Sequence, residues 1–215
     1  MSPKSADPAL RDELIETAAR LVANEGPAGL SLRRLTKEVG TSTMAVYTHF
    51  GGMDELRRQV RSEGFSRLRS QLERVDETKD PVADLIVLGF AYYSSAIASP
   101  NLYRAMFYEG PVDDGDSATG LDTFMRLVDA LRRCVEGGRL PNASPPDPAG
   151  LAVELWALNH GLVSLRLAGL LGEHEALARL STAARSLMLS WGDDPKAYEH
   201  SAESARRRLT ARLEL

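Results

Sequence analysis

The residues with the clearest chemical potential lie in the stretch GTSTMAVYTHFGGMDEL, residues 40–56. Hydroxyl side chains open this stretch, and an aromatic–histidine–aromatic run follows them: Thr41, Ser42, Thr43, Tyr47, His49 and Phe50. Hydroxyls and amide N–H groups at the start of a helix can bind phosphate oxygens, and tyrosine and histidine offer polar tips for the same purpose. The stretch is too short to fold alone, so its chemistry depends on the elements around it.

The pattern around this stretch predicts three helices. Apolar residues at helical spacing indicate a first helix, which the segment 24–27 (NEGP) ends. Ser31 is placed to cap a second helix that ends at Gly40. The third helix begins around 41–43 and runs to His49, before Gly51-Gly52 breaks it. Two short helices joined through a glycine turn after a longer helix predict a helix-turn-helix head.

Such a head suits the surface of duplex DNA. The hydroxyls at the two helix starts can contact phosphates, and we expect only one of Arg33 and Arg34 to reach DNA. The exposed face of the third helix would enter the major groove and meet base edges or a thymine methyl group, with Met44 as a further candidate. Val46 and Phe50 would anchor that helix inward. The predicted DNA-binding residues are Ser31, Arg33, Arg34, Thr41, Ser42, Thr43, Ala45, Tyr47, Thr48 and His49. The alternative interpretation of Tyr47, His49 and Phe50 is that these side chains only pack between helices.

The rest of the chain also has helical periodicity, with no strand alternation and no internal repeat. The predicted fold class is all-α, with an N-terminal three-helix head and a C-terminal helical bundle. Helices are expected near 53–75, 81–99, 100–109, 121–136, 148–171 and 174–191, with loops at 110–120 and 137–148. The predicted domains are a DNA-binding head at 1–52, a connecting helix at 53–80, a ligand-binding and dimerisation bundle at 81–192, and a polar tail at 193–215.

Composition narrows the class of protein. Hydrophobic residues make up 43% of the chain and charged residues 26%, as in ordinary globular proteins. The single cysteine, Cys134, excludes a disulfide framework and is expected to be a structural thiol. The N-terminus lacks the apolar core of a signal peptide, and the most apolar stretch, 151–172, contains Glu154 and Arg166, so a buried helix fits it better than a membrane span. We therefore expect a cytoplasmic protein.

The net charge of −4 is unevenly distributed. Residues 1–75 carry 12 basic and 10 acidic side chains, whereas residues 76–215 carry 14 and 20. This distribution permits a DNA-binding head on an acidic body.

Residues 31–56, SLRRLTKEVGTSTMAVYTHFGGMDEL, together with the preceding helix, resemble the TetR family of transcriptional regulators. The resemblance rests above all on Val39-Gly40, on the Tyr47-x-His49-Phe50 ending, and on Leu56. One position departs: the family commonly has a phosphate-touching lysine where this chain has Met53, which cannot supply that charge. In the body, the string LWALNHGLVSL (155–165) resembles the Trp…His-Gly type of TetR C-terminal domain through Trp156, His160 and Gly161.

This resemblance implies a homodimeric regulator whose helices near 148–171 and 174–191 form a four-helix interface; the alternative is that both belong to the monomer core. A two-fold dimer would present its recognition helices about 34–36 Å apart, to match a palindromic operator. A small, largely apolar effector in the body would tilt the connecting helix and release the operator. Repression is the default that the resemblance suggests, and activation remains open.

Aromatic and apolar residues of the body could line an apolar pocket, because ligand sites are mostly aromatic and aliphatic with a few polar groups. The predicted ligand-binding residues are Tyr92, Tyr93, Tyr103, Met106, Phe107, Phe124, Trp156 and His160. A helical bundle needs large side chains anyway, so we expect about half of this set to face a cavity. The alternative for His160 is a core histidine satisfied by one hydrogen bond, and Gly161 is expected to allow close helix approach.

Nothing in the sequence indicates catalysis, a metal or a cofactor. The four histidines lack metal-ligand spacing, and no glycine-rich phosphate loop or nucleophile elbow is present. The acidic pairs Asp113-Asp114 and Asp193-Asp194 and the run Arg206–Arg208 are interpreted as solvated. Two rival classes stay open: a small-molecule-binding or scaffold protein with a degenerate head, and a helical enzyme.

Overall fold

The computed structural model describes residues 7–107, 114–143 and 147–213. Within these ranges the chain forms ten α-helices, one short 3₁₀ turn (Pro27–Gly29) and no strand, which confirms the predicted all-α class. The helices are α1 Pro8–Glu25, α2 Leu32–Val39, α3 Thr43–Phe50, α4 Met53–Glu73, α5 Pro81–Ala98, α6 Pro100–Phe107, α7 Asp114–Glu136, α8 Pro148–Leu167, α9 Glu173–Ser190 and α10 Pro195–Leu213.

Serine caps and glycine stops set the short helices of the head, as predicted. The Ser31 hydroxyl accepts a hydrogen bond from the Arg34 N–H at 3.4 Å, and α2 ends at Gly40, whose φ of 72° is left-handed. The Ser42 hydroxyl accepts from the Ala45 N–H at 3.3 Å, and α3 ends at Gly51 in the same left-handed conformation. Because side-chain-bearing residues rarely adopt this conformation, glycine is the residue that ends both helices.

The first of two compact units comprises residues 1–67 and 98–120. Its core gathers apolar side chains from α1 to α4 and from α6. Leu14 and Leu35 are fully buried there, and α6 adds Leu102 and Ala105 from later in the chain. The head therefore does not complete its core from its own residues, because α6 packs against α1.

The second unit comprises residues 68–97 and 121–215 and contains a carboxylate with almost no exposure, Asp84. Its oxygens accept hydrogen bonds from the Thr78 N–H and hydroxyl, both at 2.8 Å, from Arg133 at 3.0 Å and from Arg208 at 2.6 Å. Burial alone would raise the pKa of Asp84, but the Thr78 and arginine hydrogen bonds outweigh it and lower the pKa. Asp84 therefore stays ionised and joins α5, α7 and α10.

The predictions that the pair Asp193-Asp194 and the run Arg206–Arg208 are solvated are wrong for Asp193 and for Arg208. Arg208 bonds Asp84, and its other terminal nitrogen donates to the Asp76 carbonyl at 2.8 Å. The Asp193 side chain has no exposure and pairs with Arg139 at 2.6 Å. Tyr198 is buried on α10 as well. The sequence shows that these residues are charged, but it does not show their partners, which are distant along the chain.

Other predicted bounds also change. The predicted loop 110–120 is wrong from residue 114 onward, because α7 begins at Asp114; Asp113 lies outside the described residues. The helices predicted at 148–171 and 174–191 end earlier, at Leu167 and Ser190.

Within the described ranges, the helix that is long and apolar enough to cross a membrane is α5, and not the stretch 151–172 that the sequence indicates as the most apolar and as a buried helix. Its mean hydropathy is 1.4, and 50% of it is buried inside the protein. Because the buried ion pairs of Asp84 tie α5 to neighbouring helices, it is a core helix and not a membrane span. Cys134 is free and fully buried, as expected of a structural thiol, and burial raises its pKa to about 12.

We predict that Arg208→Ala lowers the free energy of unfolding by about 2 kcal/mol, because it removes a charge-assisted hydrogen bond from a buried carboxylate. Urea unfolding followed by circular dichroism measures the change. The control is Arg207→Ala, since Arg207 is exposed and forms no ion pair with any described residue. The loss should be complete above the unfolded-state pKa of about 3.9, and should shrink as the pH falls through the lower folded-state pKa. Equal effects of the two substitutions would contradict the prediction.

Candidate functional site

Two buried side chains determine which face of α3 is free. Val46 has no exposure and Phe50 has 4%, and both belong to the core of the head. Their burial turns the opposite side of α3 outward, where Met44 is 67% exposed and Tyr47 is 51% exposed. An exposed methionine and tyrosine on an eight-residue helix form a surface that nothing in the described head covers. The predicted inward role of Val46 and Phe50 is confirmed.

The hydroxyl groups on this surface differ in what they can still bind. Ser31 and Ser42 each use an oxygen lone pair as a helix cap, so each retains its O–H for an acceptor such as a phosphate oxygen. Thr43 is exposed at the start of α3. The Thr48 hydroxyl instead donates to the Met44 carbonyl at 2.8 Å, which leaves its γ-methyl group as the part that faces away from the backbone.

The two predicted arginines on α2 have different surroundings. Arg34 bonds the Glu25 carboxylate through both terminal nitrogens and bonds Glu38 at 3.2 Å, and Arg20 also pairs with Glu38. These hydrogen bonds raise the pKa of Arg34 and lower those of both glutamates. Arg33 is exposed and forms no ion pair with any described residue. Arg33 is therefore the arginine whose charge is available to a ligand.

Lys37 is a cation that the sequence interpretation did not select. It lies four residues after Arg33 on α2, so the two share a face, and it is likewise exposed with no ion pair among the described residues. The four-residue spacing of Arg33 and Lys37 in the sequence already indicated that the two cations share a helix face. The spacing alone could not show that Arg34, unlike these two residues, is neutralised by ion pairs.

Met53 packs against the core of the head and is partly buried. The α4 start therefore uses this position for apolar packing. The next two residues, Asp54 and Glu55, pair with Arg57 at 2.9 Å and with Arg58. The remaining candidates, Thr41, Ala45 and His49, are half-buried, and the His49 ring lies 6.0 Å from that of Phe50.

In the second unit, three of the predicted ligand residues form a hydrogen-bonded chain. Trp156 Nε1 donates to the Tyr92 hydroxyl at 3.2 Å, and that oxygen lies 3.3 Å from His160 Nδ1. Because an indole N–H can only donate, the Tyr92 oxygen accepts it, and the direction of the Tyr92–His160 hydrogen bond depends on the tautomer of His160. The Phe124 ring stacks edge-on against Trp156 at 6.2 Å. Four of the predicted residues therefore lie together.

Burial lowers the pKa of His160, which favours the neutral ring. His160 is half-buried beside Trp156, with ring centroids 5.7 Å apart.

Four side-chain polar atoms in this unit are buried with no hydrogen-bond partner among the described residues: Tyr93 Oη, Asn159 Oδ1, Arg126 Nε and Arg166 Nε. Asn159 lies between Trp156 and His160 on α8 and was not selected from the sequence. Its amide abuts Gly89 of α5, where an added Cβ would lie 3.3 Å from Asn159 Nδ2. An unpaired buried polar group costs about 1–3 kcal/mol, so these atoms mark places where a partner would be stabilising.

The other three predicted ligand residues, Tyr103, Met106 and Phe107, belong to the first unit. Tyr103 and Phe107 stack edge-on at 5.2 Å. Met106 lies over Gly64 of α4 so closely that an added Cβ would be 2.4 Å from its Cγ. Among the described residues, no group of three histidine, cysteine or acidic side chains could hold a metal ion.

Two family models match the chain. The model described as bacterial regulatory proteins, tetR family, matches residues 14–60, and the model described as tetracyclin repressor-like, C-terminal domain, matches residues 85–189. A helix-turn-helix-type transcriptional regulator of Mycobacterium tuberculosis is 25% identical over 171 residues, or 76% of this chain and 72% of the relative. One from Bacillus subtilis is 30% identical over 93 residues, or 43% of this chain and 48% of the relative.

Solved structures show the same fold. The TetR family transcriptional regulator PfmR from Thermus thermophilus superposes with a TM-score of 0.70 at 20% identity, over 81% of this chain and 96% of that chain. TylP, a TetR regulator from Streptomyces fradiae, superposes with a TM-score of 0.69 at 24% identity, over 97% and 99%.

The fold and the head define a helix-turn-helix transcription factor, which binds DNA and is not an enzyme. The chain belongs to the TetR family, because both of its characteristic parts match in sequence and the whole fold matches in structure. The family prediction is confirmed. The individual DNA-contacting and ligand-contacting residues stay predictions.

We predict that Arg33→Ala weakens binding to mixed genomic DNA and lowers the slope of log affinity against log salt by about 1, since one phosphate contact releases about one counterion. Fluorescence anisotropy at several salt concentrations measures both values. Arg207→Ala is the control, because it removes the same charge from an exposed position in the second unit. An unchanged slope in Arg33→Ala would exclude this contact.

Proposed function

We propose that this protein is a ligand-responsive repressor that a small, largely apolar effector releases from a palindromic operator. The observation that carries the proposal is the combination, in one chain, of an uncovered recognition helix and a bundle that buries polar atoms without partners. The uncovered helix is suited to binding DNA, and the buried unpaired polar atoms are suited to binding a ligand. The same proposal places the protein in the cytoplasm, where operator DNA is accessible.

The DNA half of the proposal follows from the head. The O–H groups of Ser31 and Ser42 and the free charges of Arg33 and Lys37 would contact phosphates and set the orientation of the head. The exposed face of α3, with Tyr47 near its centre, would then lie in the major groove. Arg34 would hold α2 against the end of α1 rather than contact DNA.

The effector half follows from the second unit. Ligand sites are mostly apolar with a few placed polar groups, and the Trp156–Tyr92–His160 chain lies between α5 and α8 in such surroundings. Tyr93 Oη and Asn159 Oδ1 are two of the four buried side-chain polar atoms without a hydrogen-bond partner among the described residues. An apolar effector with at least one hydrogen-bonding group would supply one. This chemistry agrees with a neutral His160.

Dimerisation is proposed through α8 and α9, which pack against each other. Along α8 and at its C-terminal cap, small and apolar side chains recur every three to four residues on the solvent-exposed side: Val153, Ala157, Gly161, Leu165 and the cap residue Ala168. Val153 is 51% exposed and Leu165 is 41% exposed. Gly161 has no atom within 4 Å of an added Cβ, so its small size serves no close approach among the described residues and suits one from a second subunit.

The exposed side of α9 is compatible with the same interface. Thr182 and Ser186 donate their hydroxyls to carbonyls one turn earlier, at 3.0 and 2.9 Å. Hydroxyls bonded in this way present little unsatisfied polarity, so a partner helix could cover them at small cost. A two-fold interface of α8 and α9 would form the four-helix interface that the family resemblance implies.

Repression and release are proposed to be linked through conformation. Effector binding would favour an arrangement in which α4 tilts and the two heads no longer match the operator. Reciprocity then requires operator DNA to weaken effector binding by the same factor. The alternative is a ligand-binding protein with a degenerate head, and the specific observation that favours it is the apolar role of Met53 beside two acidic residues at the α4 start.

Operator selection from genomic DNA tests the proposal, with wild type and Tyr47→Ala in parallel. We expect wild type to enrich an inverted repeat that Tyr47→Ala fails to enrich, because Tyr47 is exposed on α3 and outside the core. Neutral apolar compounds should then displace wild type from the recovered operator. An absence of any enriched motif from a folded dimer would favour the degenerate head, and a motif that no compound releases would refute ligand response.

We predict that Leu165→Glu converts the dimer into a folded monomer, because it places a charge in an apolar interface. Sedimentation analysis measures the mass, and circular dichroism checks the fold. The matched control is Leu121→Glu, since Leu121 is a 57% exposed leucine outside α8 and α9 and its substitution should leave the dimer intact. A dimeric Leu165→Glu variant would place the interface elsewhere.

A further inference from the structure

The side chains of α3 lack the groups that most often read bases by paired hydrogen bonds. Arginine, lysine, asparagine and glutamine make the bidentate contacts with guanine and adenine in the major groove. The eight residues of α3, TMAVYTHF, contain none of them. The helix that the proposed function places in the groove must therefore discriminate bases in another way.

The exposed face of α3 is apolar for a recognition helix. Met44 is its most exposed large hydrophobic side chain, at 67%. Thr48 lies one turn later on the same face, and its hydroxyl is occupied by the Met44 carbonyl at 2.8 Å. A thioether chain and a threonine methyl group therefore stand next to each other at the surface of the head. Neither packs into the core, where Val46 and Phe50 fill that role.

The major groove offers one apolar group that such a face can recognise, the C5-methyl group of thymine. We propose that α3 reads its operator chiefly through thymine C5-methyl groups, with Met44 and Thr48 as the specificity-determining residues. This inference rests on the proposed operator binding and adds the chemistry of base discrimination to it. It implies that each half-site carries thymines at the positions that α3 covers.

The size of the effect follows from burial of a methyl group. Removing one buried methyl group weakens the interaction about fourfold, and two in the same half-site about fifteenfold. Cytosine at such a position would lose the methyl contact and would present an amino donor in place of the thymine O4 acceptor. The Thr48 oxygen donates its proton to the Met44 carbonyl but keeps lone pairs that can accept from this amino group, so deoxyuridine rather than cytosine isolates the contribution of the methyl group.

Deoxyuridine substitution in the recovered operator tests the inference, because it removes only the methyl group and keeps base pairing. We expect about fourfold weaker binding at one or more thymines of each half-site, measured by fluorescence anisotropy. Substitutions outside the protected region serve as the DNA control. Met44→Ala should bind more weakly than wild type and should no longer distinguish thymine from deoxyuridine at the position that Met44 covers.

A pair of variants at Thr48 separates the two parts of its side chain. Thr48→Val keeps the methyl group and loses the hydroxyl, so it should retain affinity and sensitivity to deoxyuridine. Thr48→Ser keeps the hydroxyl and loses the methyl group, so it should lose both. The reverse order would assign the role to the hydroxyl and overturn the inference.

The outcomes also separate this inference from the proposed function. A recovered operator that binds equally well with deoxyuridine at every half-site position overturns the methyl readout and leaves operator binding intact. An absence of any enriched operator overturns both.

Discussion

The burial of Val46 and Phe50 is the constraint on which the head depends. A short helix has few side chains with which to fix its rotation, and these two occupy the core with almost no exposure. Their positions leave Met44, Tyr47 and Thr48 outside. The side chains that α3 can offer to DNA are therefore those that remain exposed once Val46 and Phe50 are buried. The left-handed glycines on either side of α3 allow the chain to enter and leave at the required angle.

Ion pairs have a second, less visible role, because they decide which charges remain free. On α2, two glutamates neutralise Arg34 while Arg33 and Lys37 keep their charge. In the second unit, Asp84 takes up Arg133 and Arg208, and Asp193 takes up Arg139. The two Asp84 pairs hold α5 to α7 and to α10. A formal charge count cannot distinguish these paired residues from the cations that can bind phosphate.

The second unit combines good packing with incomplete hydrogen bonding. Trp156, Tyr92 and His160 satisfy one another in a chain, whereas Tyr93 Oη and Asn159 Oδ1 have no partner among the described residues. Buried polar groups are normally paired, so unpaired ones beside an aromatic cluster agree with a site that a ligand completes. The outer side of α8 differs, since its exposed small and apolar residues suit a second protein surface.

The sequence by itself determined the helical class, the family and the local boundaries of the head. Periodicity, serine caps and glycine stops act within a few residues, so Ser31, Gly40 and Gly51 could be interpreted without a fold. The sequence did not show which residues distant along the chain contact one another. The partners of Arg34, Arg139 and Arg208, the contribution of α6 to the core of the head, and the unsatisfied amide of Asn159 were decided by tertiary structure. The physical reason is that a charge or an amide has a local identity in the sequence, whereas its hydrogen bonds and burial depend on what the folded chain places beside it.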